Sequence, residues 1–183
     1  MRVFLALEIP DEIKAYLRVV TNQMAARIHN VKWVNERGQH ITLKFFGEQE
    51  EKRVREIGDA LSGIERLHAP IAVTLKDIEA FPDRKRARVI VVALEKGVDN
   101  IRMIFHDIED RLSGLGVEKE RRSFRPHITL GRMKTPGPLL DRDIVDVDKK
   151  DFVVRRMVLF QSILQPAGAV YAPIWELEFN KTI

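Results

Sequence analysis

"QHITLKFFGE", residues 39–48, and "RPHITLGR", residues 125–132, share one tetrapeptide in a chain that has only five histidines. A tetrapeptide of this composition recurs by accident in a chain of this length about once in a thousand. Both copies are rich in β-branched and apolar residues, which suits a strand. In a strand successive side chains point to opposite faces. Ile41, Leu43, Ile128 and Leu130 therefore enter a core, while His40, Thr42, His127 and Thr129 project from the other face. Each string puts an imidazole and a hydroxyl on the same open surface.

Outward from these strings the pattern alternates between strands and amphipathic helices. "VFLALEI" (3–9) reads as a buried strand, and Ile13, Leu17, Val20, Met24 and Ile28 then recur at helical spacing. "VKWV" and "HITLKFF" are short strands around the turn-prone "NERG". Val54, Ile57, Leu61 and Ile64 predict a second helix within 50–67. "IAVTLKDIEAF" and "ARVIVVAL" bracket the basic loop "PDRKR". Ile101, Ile104, Ile108 and Leu112 predict a third helix over 98–115, closed by a glycine. "DFVVRRMVLFQSIL" and "VYAPIWELEF" end the chain as strands. Short turns between consecutive strands favour antiparallel pairing, so the fold class is α+β rather than parallel α/β. The repeated string predicts two pseudo-symmetric lobes of antiparallel sheet, helices on their outer faces, flanking a central cleft. At 183 residues, with no linker or low-complexity tract, the chain reads as a single bilobal domain over 1–183.

The apolar content of 45% and charged content of 32% are those of a globular protein, and no apolar run approaches the roughly 20 residues of a membrane helix. "MRVFLALEIPDE" meets Pro and acids too early for a secretion signal, which points to the cytoplasm and away from the membrane. There is no cysteine, so disulfides, thiolate metal sites and a cysteine nucleophile are excluded. Little Asn and Gln beside much Glu, Lys and Arg matches the composition of heat-loving organisms. A net charge of +4 is compatible with a polyanionic partner such as RNA.

Two H-x-T strands facing one cleft have a specific chemistry. Histidine's pKa lies near neutrality, so one imidazole can take a proton from an attacking hydroxyl while its partner donates one to the leaving oxygen. The threonine hydroxyls would hold non-bridging phosphate oxygens through the reaction. A metal site needs three or four ligands, and neither string offers a second His or a carboxylate at ligand spacing, so no metal and no cofactor is expected. Lys44 and Phe46 share His40's parity and become candidates for substrate contact, Phe46 by stacking on a base. The loop residues Arg84, Lys85 and Arg86 could grip an RNA backbone. His29, His68 and His106 lack a threonine partner and read as surface residues.

The paired "HITLKFFGE" and "RPHITLGR" resemble the two HxTx motifs of the 2H phosphoesterases, most closely the RNA 2′,3′-cyclic phosphodiesterase group, also called 2′-5′ RNA ligases. The likeness extends to "RVFLALEIP", the "WV" before the first motif, "FPDRKRARVI" and "SILQPAGAVYAPIWELEF". The resemblance implies hydrolysis of RNA 2′,3′-cyclic phosphate ends to 2′-phosphates without a metal. It also implies the related transfer in which an RNA 5′-hydroxyl replaces water. By the same resemblance His40 takes the proton-donor place, His127 the proton-acceptor place, and Thr42 and Thr129 the phosphate contacts. Arg132 falls on the family's phosphate-binding arginine and Tyr171 in a cleft-lining strand. Regular alternation would put Arg132 on the face opposite His127, so its place requires a bend at Gly131. The expected partner is RNA with a cyclic phosphate end, tRNA fragments being one candidate source, and the protein is expected to be a monomer. Two rivals stand beside this reading: a non-catalytic module that holds a nucleotide or RNA end, and a phosphodiesterase for another small cyclic phosphate.

Overall fold

Apolar spacing becomes helix packing much as the sequence predicts. A computed structural model describes residues 1–165 and 168–180. Helix α1 (Asp11–Ala25) buries Ile13, Leu17, Val20 and Met24, with Ile28 just past its end. Helix α2 (Glu51–Leu61) stops before Ile64, because Gly63 takes φ +87° and restarts the chain as a 3-10 turn at Ile64–Arg66. Helix α3 (Val98–Ser113) buries Ile101, Ile104, Ile108 and Leu112. Among the described residues, no helix is long and apolar enough to cross a membrane.

The strands are β1 (Arg2–Leu7), β2 (Val31–Trp33), β3 (Ile41–Glu48), β4 (Ile71–Phe81), β5 (Ala87–Lys96), β6 (His127–Gly137), β7 (Asp151–Val154), β8 (Arg156–Gln165) and β9 (Gly168–Glu178). They form one antiparallel sheet in the order β7-β4-β5-β6-β3-β1-β8-β9, with β2 added to β6. The fold is α+β, a curled antiparallel sheet with three helices, as the sequence predicts.

The middle of this sheet positions the site. Strands β3 and β6, which carry the two HITL strings, lie side by side, joined by one register pair, Ile41 opposite Ile128. Four strands extend from that seam on each side, β3-β1-β8-β9 and β6-β5-β4-β7. Ile41, Leu43, Ile128 and Leu130 are buried in a core shared with all three helices. Single extra residues in β3 (Leu43 and Phe46) and in β6 (Leu130) break the register with their neighbours. Such bulges bend a strand and raise its twist, which suits the curled sheet.

Candidate active site

An antiparallel pair has a local two-fold axis, and at the seam it passes between Ile41 and Ile128. That axis exchanges His40 with His127 and Thr42 with Thr129. The four side chains stand half-buried on the face opposite the isoleucines. Thr42, His127 and Thr129 line a cleft of about 1240 Å³.

The His127 imidazole is oriented by a backbone carbonyl two residues earlier. His127 Nδ1 lies 2.7 Å from the carbonyl oxygen of Arg125. A carbonyl only accepts, so Nδ1 carries the proton and Nε2 of the neutral ring keeps its lone pair. For His40, the Gly38 backbone two residues earlier favours the charged ring. Protein also packs around both rings. Phe4 lies 4.8 Å from His40 between centroids, and Tyr171 presents an edge at 5.5 Å. Phe81 meets His127 edge-on at 4.9 Å, and the Arg125 guanidinium lies over the Phe81 ring at 4.7 Å.

This packing controls the charge of the pair. Burial pushes the His40 pKa down from 6.5 to about 4, against the Gly38 hydrogen bond and helped by repulsion from His127, Arg132 and Lys14. Burial also lowers His127, with Arg125 and Arg132 adding to the shift and the Arg125 carbonyl and Glu79 opposing it. Both rings are therefore mainly neutral at pH 7, and a bound anion favours protonation of one of them.

Arg132 reaches the same cleft by way of a bulge. Val91 pairs with Thr129 and Ile90 with Gly131, so Leu130 is the extra residue and alternation shifts by one beyond it. Arg132 then lines the cleft with Thr129 and His127. Strand β2 pairs with β6 at this point, Trp33 opposite Gly131. A Cβ on Gly131 would come within 2.5 Å of Val31 Cγ1 and 2.8 Å of the Trp33 ring, so any other residue forces those two side chains to shift.

The bulges in β3 shift the regular alternation expected for Lys44 and Phe46, and both residues still border the cleft. The extra residue Leu43 places Lys44 opposite the core residue Leu5 and Phe45 opposite Phe4, the aromatic behind His40. Phe46 packs on the core, and Phe45 is the exposed aromatic of the cleft, at 64%. The Lys44 ammonium is held by the carboxylate of Glu109, itself only 4% exposed, and donates to the Glu118 carbonyl at 2.9 Å. Tyr171 backs His40. The hairpin arginine Arg84 faces away, bonding Asp141 at 3.0 Å and the Ile78 carbonyl at 2.9 Å. The basic segment that does line the cleft is 116–125, between α3 and β6, which sequence reasoning passed over. His68 is not a free surface histidine: its Nε2 lies 2.7 Å from the Asp107 carboxylate. Among the described residues, no three His, Asp or Glu side chains gather as metal ligands.

A family model described as LigT-like phosphoesterase matches this chain twice, over residues 7–91 and 92–171, one copy on each HITL string. The RNA 2′,3′-cyclic phosphodiesterase of Methanocaldococcus jannaschii is 36% identical, covering 96% of this chain and 99% of its own. That of Thermotoga maritima is 29% identical, covering 98% and 96%. Among solved structures, a protein of Thermus thermophilus superposes with a TM-score of 0.86 at 25% identity, over 99% of both chains. Escherichia coli LigT, solved with 3′-AMP, shares the fold at a TM-score of 0.75 and 19% identity, over 98% of both chains.

Proposed function

The chain belongs to the LigT-like phosphoesterases, and from that membership we infer that it hydrolyses RNA 2′,3′-cyclic phosphate ends to 2′-phosphomonoesters by two-histidine acid-base catalysis. The observation that carries the mechanism is the local two-fold axis at Ile41 and Ile128, which sets the two imidazoles on one face of the sheet. His127, with its Nε2 lone pair available, takes a proton from water as the water oxygen bonds to phosphorus. His40, protonated when the anionic diester binds, gives its proton to O3′ as the P–O3′ bond breaks. The products are a 2′-phosphomonoester and a free 3′-hydroxyl, and exchange with solvent resets both rings. Thr42, Thr129 and Arg132 hold the non-bridging oxygens and stabilise the charge that develops there.

This reading takes residues 1–183 as one bilobal domain that works as a monomer in the cytoplasm, with tRNA fragments as one source of substrate. It is tested by incubating the protein with a short RNA ending in 2′,3′-cyclic phosphate in excess chelator and identifying the product end. A 2′-phosphate formed at the same rate with and without chelator is expected, because both proton transfers belong to side chains. A 3′-phosphate would reverse the leaving group. Activity lost to chelator and restored by a divalent ion would overturn the acid-base assignment, and binding without turnover would favour the non-catalytic rival.

A further inference from the structure

The cleft is larger than the reacting group requires. Sites for drug-sized ligands, a class that includes a single nucleotide, usually enclose about 300–1,000 Å³, whereas this one measures about 1240 Å³. Its lining continues from His127 and Arg132 along the whole of 116–125 and includes Phe45.

That segment is a built wall. The buried Glu109 carboxylate on α3 takes the Lys44 ammonium on one side and the Glu120 backbone N–H, at 2.6 Å, on the other. Phe124 stacks on Phe105 with centroids 4.1 Å apart and planes within 10°. Two cations of the wall are already paired: Lys119 with the Asp110 carboxylate, and Arg125 with Glu79 at 2.7 Å. The Glu120 carboxylate accepts the backbone N–H of Arg122 at 3.1 Å. Arg121 and Arg122 differ, being exposed and without an ion-pair partner among the described residues. Unpaired cations on a fixed backbone, sharing a cleft with an exposed aromatic ring, are the features that hold single-stranded nucleic acid without reading its sequence.

We propose that Arg121, Arg122 and Phe45 form a subsite for the RNA on the 5′ side of the reacting nucleotide. The arginines hold the phosphodiester that joins the terminal nucleotide to its neighbour, and Phe45 stacks a base. This inference rests on the proposed function and adds to it a preference for RNA ends over free cyclic nucleotides.

The test compares kcat/KM on a nucleoside 2′,3′-cyclic phosphate with a free 5′-hydroxyl and on an oligonucleotide with the same end, over a range of salt. Wild type should favour the oligonucleotide. Phe45→Ala should lower kcat/KM on the oligonucleotide about 5- to 150-fold and leave the mononucleotide unchanged. Arg121→Ala with Arg122→Ala should lower oligonucleotide turnover and flatten its salt dependence, by about 0.7 in log–log slope for each phosphate no longer neutralised. The unchanged mononucleotide rate reports that the variants fold. Equal wild-type efficiency on the two substrates, or variants that depress both alike, would overturn the subsite while the proposed function stands. Hydrolysis of neither substrate would overturn the proposed function, and the subsite with it.

Discussion

His127→Ala is expected to lower kcat/KM on a cyclic RNA end by about 10²- to 10⁴-fold, the usual worth of a positioned acid or base, and His40→Ala by a similar factor. The loss is chemical rather than structural, since both rings stand on the sheet face opposite Ile41 and Ile128, which hold the strands in the core. The double replacement should cost far less than the product of the two single losses, because an acid without its base partner has little left to contribute. Thr42→Val and Thr129→Val should be milder, removing one hydrogen bond to the phosphate while leaving proton transfer in place. Steady-state kinetics on the four histidine combinations decide this. If either single variant keeps near-normal turnover, the two strings do not form one acid-base pair.

The largest effect on stability is expected outside the histidine pair, at Glu109. Its carboxylate is buried with the Lys44 ammonium, the two side chains being 5% and 10% exposed. Removing one member of a buried pair strands the other charge, which typically costs about 3–5 kcal/mol. At about 2–4 °C per kcal/mol for a chain of this size, Glu109→Ala should lower the melting temperature by about 6–20 °C. It also leaves the Glu120 N–H without its acceptor, so the cleft wall should loosen and hydrogen exchange along 116–125 should rise. Replacing both partners with apolar residues of similar volume should recover much of the stability. Glu109→Ala melting within a degree of wild type would mean that the pair does not anchor the wall.

The histidine face was legible because period-two alternation survives within each four-residue string. His40, Thr42, His127 and Thr129 share a surface, and Ile41 and Ile128 lie beneath it. The helices were legible for the same kind of reason, their apolar residues recurring at the helical period, except where Gly63 ended α2 early. Alternation could not be carried past the strings. Extra residues at Leu43, Phe46 and Leu130 shift the parity of the strand beyond them, exposing Phe45 in the cleft beside the partly buried Phe46, turning Lys44 to Glu109, and returning Arg132 to the face of His127. A bulge depends on the neighbouring strand and on the close approach of β2 at Gly131, and neither is written in local composition. The choice between basic segments failed for a tertiary reason as well. Residues 84–86 and 116–125 are both cationic, and only the adjacency of β3 and β6 brings the second to the cleft.

That His40 and His127 act as one acid-base pair is tested most directly by the pH dependence of kcat/KM. A phosphodiester keeps its single negative charge across the range in which histidine titrates, so the profile reports the free enzyme's own groups. Burial lowers both imidazoles below the ordinary 6.5, His40 to about 4. Below the lower apparent pKa both rings are protonated and the base is lost; above the higher one both are neutral and the acid is lost. The pair carries the single proton it needs between the two values, which belong to the coupled pair rather than to either ring. The expected profile of kcat/KM is a bell with its maximum on the acid side of 6.5, from which His40→Ala and His127→Ala each remove one limb. A wild-type profile that is flat across this range, or that keeps both limbs when either histidine is replaced, would contradict the two-histidine mechanism.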